Sequence, residues 1–194
     1  MGSFAALYIE ASLGAAKALV EPWAHALGFG AAEAFDEPPR ALGGFFIATK
    51  ALGLVEHGNG WSQLAIQGFR MPRGGEVGLT TVEPLALLCP RRALLFVAQT
   101  TSDVYELGLF EAGRRLRYLS HADGQRLEDE GARLASETCD TFGSIGERPE
   151  EDERGPFDDA QEIAKALGVD LWADNRRGAG FLWRRRHFLS RWFS

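Results

Sequence analysis

The stretch Arg92–Ser120, RALLFVAQTTSDVYELGLFEAGRRLRYLS, spells three consecutive β-strands. Ala93–Ala98 is apolar throughout, bounded by Pro90 before it and by Gln99 to Asp103 after it. A short, uniformly apolar run implies a strand covered on both faces, and hence one in the middle of a sheet. The next two runs alternate instead. Tyr105, Leu107 and Leu109 share one face with Glu106 and Phe110 on the other, and Leu116 and Tyr118 oppose Arg117. Glu111–Arg115 joins them, and Gly113 can take a positive φ there, so a hairpin loop of about 3–5 residues is expected. Residues 93–119 are thus predicted to form an antiparallel meander.

Upstream, Phe4–Ile9 predicts a first strand. Ser12 is placed to cap a helix through its hydroxyl, and Leu13, Ala16, Val20, Trp23, Ala24 and Leu27 then fall on one helical stripe. Pro22 should kink or restart that helix, Gly28 and Gly30 should end it, and a loop is expected next. Phe45–Ala48 and Ala51–Glu56 are strand-like, and Asn59-Gly60 favours a turn into a returning strand at Trp61–Gln67. Residues 68–80 suggest a loop, and Pro84–Leu88 a short helix with Pro84 in its first turn.

Downstream, residues 121–156 are mostly polar, and Arg126–Ala135 is expected to be a short helix or irregular chain. Glu147–Asp159 holds seven acids, two arginines and two prolines, the composition of a solvated acidic loop. Asp158 is expected to cap a further helix with help from Gln161. Ala160, Ile163, Ala164 and Leu167 form its apolar stripe and Gly168 closes it. Val169–Trp172 should be a short strand or extended segment. If Phe181–Phe193 were helical, Phe181, Leu182, Phe188, Leu189, Trp192 and Phe193 would gather on one face, opposite Arg184, His187 and Arg191. The order of elements predicts an α+β fold with a mostly antiparallel sheet and helices packed on it. One domain over residues 1–194 is expected, carrying the acidic loop at 147–159 and an Arg/aromatic C-terminal segment at 176–194.

Composition narrows the functional classes. The chain has 194 residues and a net charge of -6, unevenly spread. Residues 176–194 hold six arginines and no acid, leaving 15 basic against 27 acidic side chains in the remainder. An acidic body argues against nucleic-acid binding and favours a basic partner. Cys89 and Cys139 cannot form a disulfide framework, and Cys89 beside Pro90 is expected to be a small buried hydrophobe. The beginning MGSFAALYIE lacks the marks of a secretory signal, and no apolar run is long enough to span a bilayer, so a cytoplasmic location is expected. His25, His57, His121 and His187 are widely spaced, and no C-x-x-C, G-x-S-x-G or phosphate-loop spacing occurs. No metal or cofactor is therefore expected.

The segment 85–120, with its Leu-rich helix, buried strand, polar break and hairpin bearing Tyr105, Phe110, Gly113 and Arg117, resembles small bacterial α+β domains, among them immunity proteins of polymorphic toxin systems. The resemblance implies a non-enzymatic protein that binds and blocks a toxin. Charge then suggests a contact surface made by Glu128, Asp129, Glu130, Glu150, Glu151, Asp152 and Glu153, complementary to a basic toxin. Two other functions compete with this one. A small enzyme could use strand-borne carboxylates such as Glu56 and Glu106, or Glu10 and Glu111, in a sheet pocket. A peripheral adaptor could dock through the aromatic-basic segment 181–194, unless that segment completes the protein's own core.

Overall fold

A computed structural model describes residues 3–37, 51–66, 79–99, 103–138, 141–143, 154–171 and 178–185. In chain order these form β1 (Ser3–Ile9), α1 (Leu13–Ala26), β2 (Phe29–Phe35), β3 (Ala51–Gly58), β4 (Trp61–Ala65), α2 (Leu79–Leu87), β5 (Arg92–Gln99), β6 (Val104–Glu111), β7 (Arg114–Ala122), β8 (Gln125–Gly131), α3 (Pro156–Ala166) and β9 (Gly180–Arg185). The nine strands make one antiparallel sheet in the order β2-β9-β3-β4-β1-β5-β6-β7-β8. This is the predicted α+β architecture.

The sheet is covered on both sides. Ala5, Leu7 and Ile9 of β1, with Ala93 and Leu95 of β5, pack beneath α1 and α2. Ala6 and Tyr8, with Leu94, Phe96 and Ala98, point the other way and meet Phe142 and α3. That double covering explains why Ala93–Ala98 carries no polar residue. The meander has the expected register, with Leu95 opposite Gly108 and Leu107 opposite Leu119. Its hairpin is tighter than the sequence suggested. Only Ala112 and Gly113 separate β6 from β7, with φ of 47° and 79°. Asn59-Gly60 turns β3 into β4 in the same way, with positive φ at both residues, as a two-residue hairpin requires.

Several expectations need correction. Residues 126–135 do not form a helix, because β8 occupies Gln125–Gly131 and pairs with β7. The chain directly after Gly28 is strand β2 rather than the start of a loop, and its partner β9 lies far away in sequence, while 38–44 of the expected loop lie outside the described residues. Ser12 is the N-cap of α1, yet its side chain makes no capping hydrogen bond, and α1 runs on through Pro22 without restarting there. Pro84 likewise lies within α2 rather than in its first turn. In α3 the cap is Gly155, whose N–H donates to the Asp158 carboxylate at 2.9 Å. Gln161 does no capping: it is buried, donating to Asp170 and accepting from the Leu171 N–H. Val169–Leu171 lies in no strand. Phe45–Ala48, Cys139, most of 68–80 and residues 186–194 lie outside the described residues.

The C-terminal segment begins not as a helix but as β9, inserted between β2 and β3. Phe181 and Trp183 face α1 and alternate with Leu182 and Arg184. Trp183 is fully buried, so this part of the segment completes the core. Trp183→Ala should lower the unfolding free energy by about 3–5 kcal/mol, the usual cost of emptying a buried tryptophan site. Urea denaturation checks this, and an unchanged midpoint would remove Trp183 from the core.

Candidate functional site

The polar groups of the α3 face collect over β6, β7 and β8. Arg117 faces this side because β7 alternates, and the strand carries Arg117, Leu119 and His121 opposite Leu109, Leu107 and Tyr105. Arg117 is the largest fully buried charged side chain among the described residues. Its Nε and Nη2 donate to Glu137 at 2.8 and 2.6 Å, and its Nη1 donates to Asp129 at 2.5 Å and to the Glu130 carbonyl at 2.8 Å. Glu137 is almost as deeply enclosed, and its other contact is the Leu134 N–H at 3.1 Å. Desolvation of a guanidinium is costly, and here hydrogen bonds to two carboxylates and a carbonyl offset it. Burial pushes the Asp129 carboxyl up, but the bond and charge of Arg117, with Arg126 beside it, hold it below the usual range. Gly131, at φ 87°, lets β8 approach closely here, since a Cβ would meet the Leu116 carbonyl oxygen at 2.0 Å.

Beyond Arg117 on β7, His121 is also buried. Its Nδ1 lies 3.4 Å from the Phe142 carbonyl and its Nε2 3.4 Å from the Asp103 carboxylate, too poorly aligned at Nε2 to count as a hydrogen bond. Asp103 accepts from the Gly124 N–H at 2.8 Å, and Asp159 of α3 accepts from the Phe142 N–H at 2.7 Å. These contacts tie the β5–β6 connection, β7, residues 141–143 and α3 into one polar seam.

A second polar group lies under the end of α3. Tyr8 is buried and accepts from the Gln63 side-chain amide at 3.3 Å, and its ring stands edge-on to His57 at 4.8 Å. Burial, with the Asp170 charge, pushes its hydroxyl far above the ordinary tyrosine range. His57 Nε2 accepts from the Asp170 N–H at 3.2 Å, and Asn59 donates to the Gly168 carbonyl at 3.2 Å. Each bond joins the β3–β4 hairpin to the chain that follows α3, so the cluster fastens two elements together.

The sequence-predicted residues fare differently. Glu128, Asp129 and Glu130 are adjacent on β8, the last strand of the sheet, and all three are exposed. Asp129 holds Arg117 and Arg126, and Glu130 holds Arg115 at 2.6 Å. Glu128 has no ion pair among the described residues. Glu150, Glu151, Asp152 and Glu153 lie outside the described residues. Glu56 and Glu106 do not converge, because β4, β1 and β5 stand between their strands, a lateral separation of about 19 Å at ~4.8 Å per strand. Glu10 is ion-paired with Arg91 and Arg92, both at 2.7 Å, and Arg92 also lies over the Trp61 ring. Cys89 is buried, and burial pushes its thiol up to about 11. No group of three or more His, Cys, Asp or Glu side chains among the described residues is arranged to hold a metal.

Sequence reasoning missed the strand that carries the three acids. Asp123-Gly124, with φ of 51° and 74°, is the two-residue turn that sends β7 into β8. Asp-Gly is among the strongest hairpin signals, and it was present in the sequence. The Arg117 partners could not be foreseen, because Glu137 approaches from a loop with no strand register.

Two predictions follow from these ion pairs. Arg117→Met should cost about 3–5 kcal/mol by leaving Glu137 buried and unpaired, and adding Glu137→Leu should recover most of it. A double-mutant cycle by urea denaturation reads this, and additive losses would show that the pair is not coupled. The Arg92 hydrogen bond, with the charges of Arg92 and Arg91 and against burial, holds the Glu10 carboxyl below its ordinary range. Its stabilisation is therefore complete above the unfolded carboxylate range near pH ~4.3 and is lost as pH falls through the depressed folded value. The stability gap between the protein and Glu10→Gln should be widest at neutral pH and close under acid; a gap that widens on acidification would reverse the assignment. Comparison of the chain with protein-family models, with curated proteins and with solved structures gives no match.

Proposed function

We propose that this chain is a protein-binding domain whose contact surface is the acid-bearing strand β8, and that its partner is basic. One observation carries the reading. None of the seven residues of β8 is buried, so apolar packing does not account for it. It is held by its ladder to β7 and by ion pairs with Arg115 and Arg117. A strand that contributes ladder and charge but no core is suited to contact rather than to packing. The resemblance at 85–120 adds a biological form to this reading, an immunity protein that neutralises a basic toxin. The enzyme alternative loses support with the separation of Glu56 from Glu106. The adaptor alternative loses Phe181 to Trp183, which the sheet already uses.

The test is capture of partners from a lysate by the intact protein and by Glu128→Arg, at low and moderate salt. A stoichiometric basic protein should bind, weaken with salt and bind Glu128→Arg less well. The melting temperature should stay unchanged, because Glu128 is exposed and has no ion pair among the described residues. For the immunity form, adding the protein should also abolish the partner's toxicity. Capture indifferent to both salt and Glu128 would sink the proposal.

A further inference from the structure

We infer that β8 receives its partner as a tenth strand: an extended segment carrying arginine or lysine at alternate positions. The inference rests on the protein-binding reading above and specifies the partner's chemistry and its mode of docking. β8 ends the sheet order, and among the described residues no strand pairs with its outer side. Its residues are exposed along that side, apart from the half-buried Arg126. About half the backbone N–H and C=O groups of an edge strand point away from its neighbour, and these form a template for another chain.

The side chains select the occupant. Glu128 and Glu130 lie opposite Ser120 and Tyr118, so both face the α1–α2 side, while Asp129 lies opposite Leu119 and faces α3. A segment alternating basic and uncharged residues would set its charges along the Glu128–Glu130 stripe. The inner neighbour already shows such pairing, because Arg115 and Arg117 of β7 reach across to Glu130 and Asp129. Opposite charges across a ladder favour pairing, and like charges oppose it.

A second copy of this chain fits less well. Self-pairing centred on Leu127 would set Arg126 of one copy against Glu128 of the other. However, the ladder shifts between Ser120 and His121, leaving Leu127 unopposed and turning Arg126 and Glu128 to opposite faces. Self-pairing centred on Glu128 or Asp129 sets acid against acid. The bulge and the acids therefore discourage self-association, while among the described residues nothing pairs with the outer backbone that a basic strand would use.

The experiment uses the full chain and synthetic seven-residue peptides. The parent alternates arginine with threonine, and two twins carry N-methyl groups on the odd or the even residues. A control replaces each arginine with glutamate. The parent should shift the amide resonances of residues 125–131. One methylated twin should bind nearly as well and the other at least about ten-fold more weakly, because only one edge of an added strand donates to β8. Glu128→Arg should weaken the parent by about five-fold. If both twins match the parent while Glu128→Arg still weakens it, strand addition is overturned and the basic-partner reading stands. If the acidic control binds as well as the parent, the basic-partner reading fails. Amide shifts confined elsewhere, or a concentration-dependent dimer broken by Glu128→Arg, would overturn the inference in favour of another surface or a second copy.

Discussion

The fold depends on a single constraint: β1 and β5 lie side by side near the middle of the sheet and are apolar on both faces. Leu7 and Leu95 point to one side and Tyr8, Leu94 and Phe96 to the other, all of them fully buried. A strand pair of this kind cannot be satisfied by one layer of helices. The chain answers with α1 and α2 on one face, and with α3 and Phe142 on the other. Distance from this pair sets what each outer strand can be. β6 and β7 still bury consecutive residues, and hence both faces, along part of their length, whereas β8, one step further out, buries none.

Arg117 marks where the apolar layer stops. On the α3 side of β7, Leu119 belongs to the core cluster, but Arg117 on the same face requires carboxylates. Glu137 enters from the loop after β8, and Asp129 from β8 itself. The guanidinium therefore needs both the edge strand and the loop in place before its charge is compensated. A buried ion pair of this kind adds little net stability over a hydrophobic replacement, yet it is destabilising when half of it is missing. Here it couples β8 to β7 more specifically than a bare ladder would.

Much of the fold was legible because its signals were local. The apolar run of β5, the alternation of β6 and β7, the stripe of α1 and the Asn59-Gly60 turn each fit within a few residues. β2 was not legible: FGAAEAF has no β-branched residue, and its ladder comes from β9, beyond most of the chain. β9 was hidden for the opposite reason. Its aromatics and arginines fit a helical face as well as a strand, and only the gap between β2 and β3 decides. For the candidate site, the acids were found but their setting was not. The polar composition around Arg126 outweighed the Asp123-Gly124 turn, which would have announced the hairpin. The partners Glu137 and Asp103 come from connections, where no periodicity exists to read, and Asp159 comes from the first turn of α3.

The placement of charge within the β7–β8 hairpin also bears on what an edge like this can evolve to do. Asp129 and Glu130 are committed to Arg117 and Arg115, so changing either disturbs the hairpin itself. Among the described residues Glu128 and Leu127 carry no such burden, and Leu127, at 63% exposure, sits where the ladder shifts. Substitution at such sites costs little folding free energy, so these positions can vary while β7 stays fixed. The hairpin thus divides the work. Its inner strand answers to the core and its two committed acids to the hairpin, while Leu127 and Glu128 answer to neither.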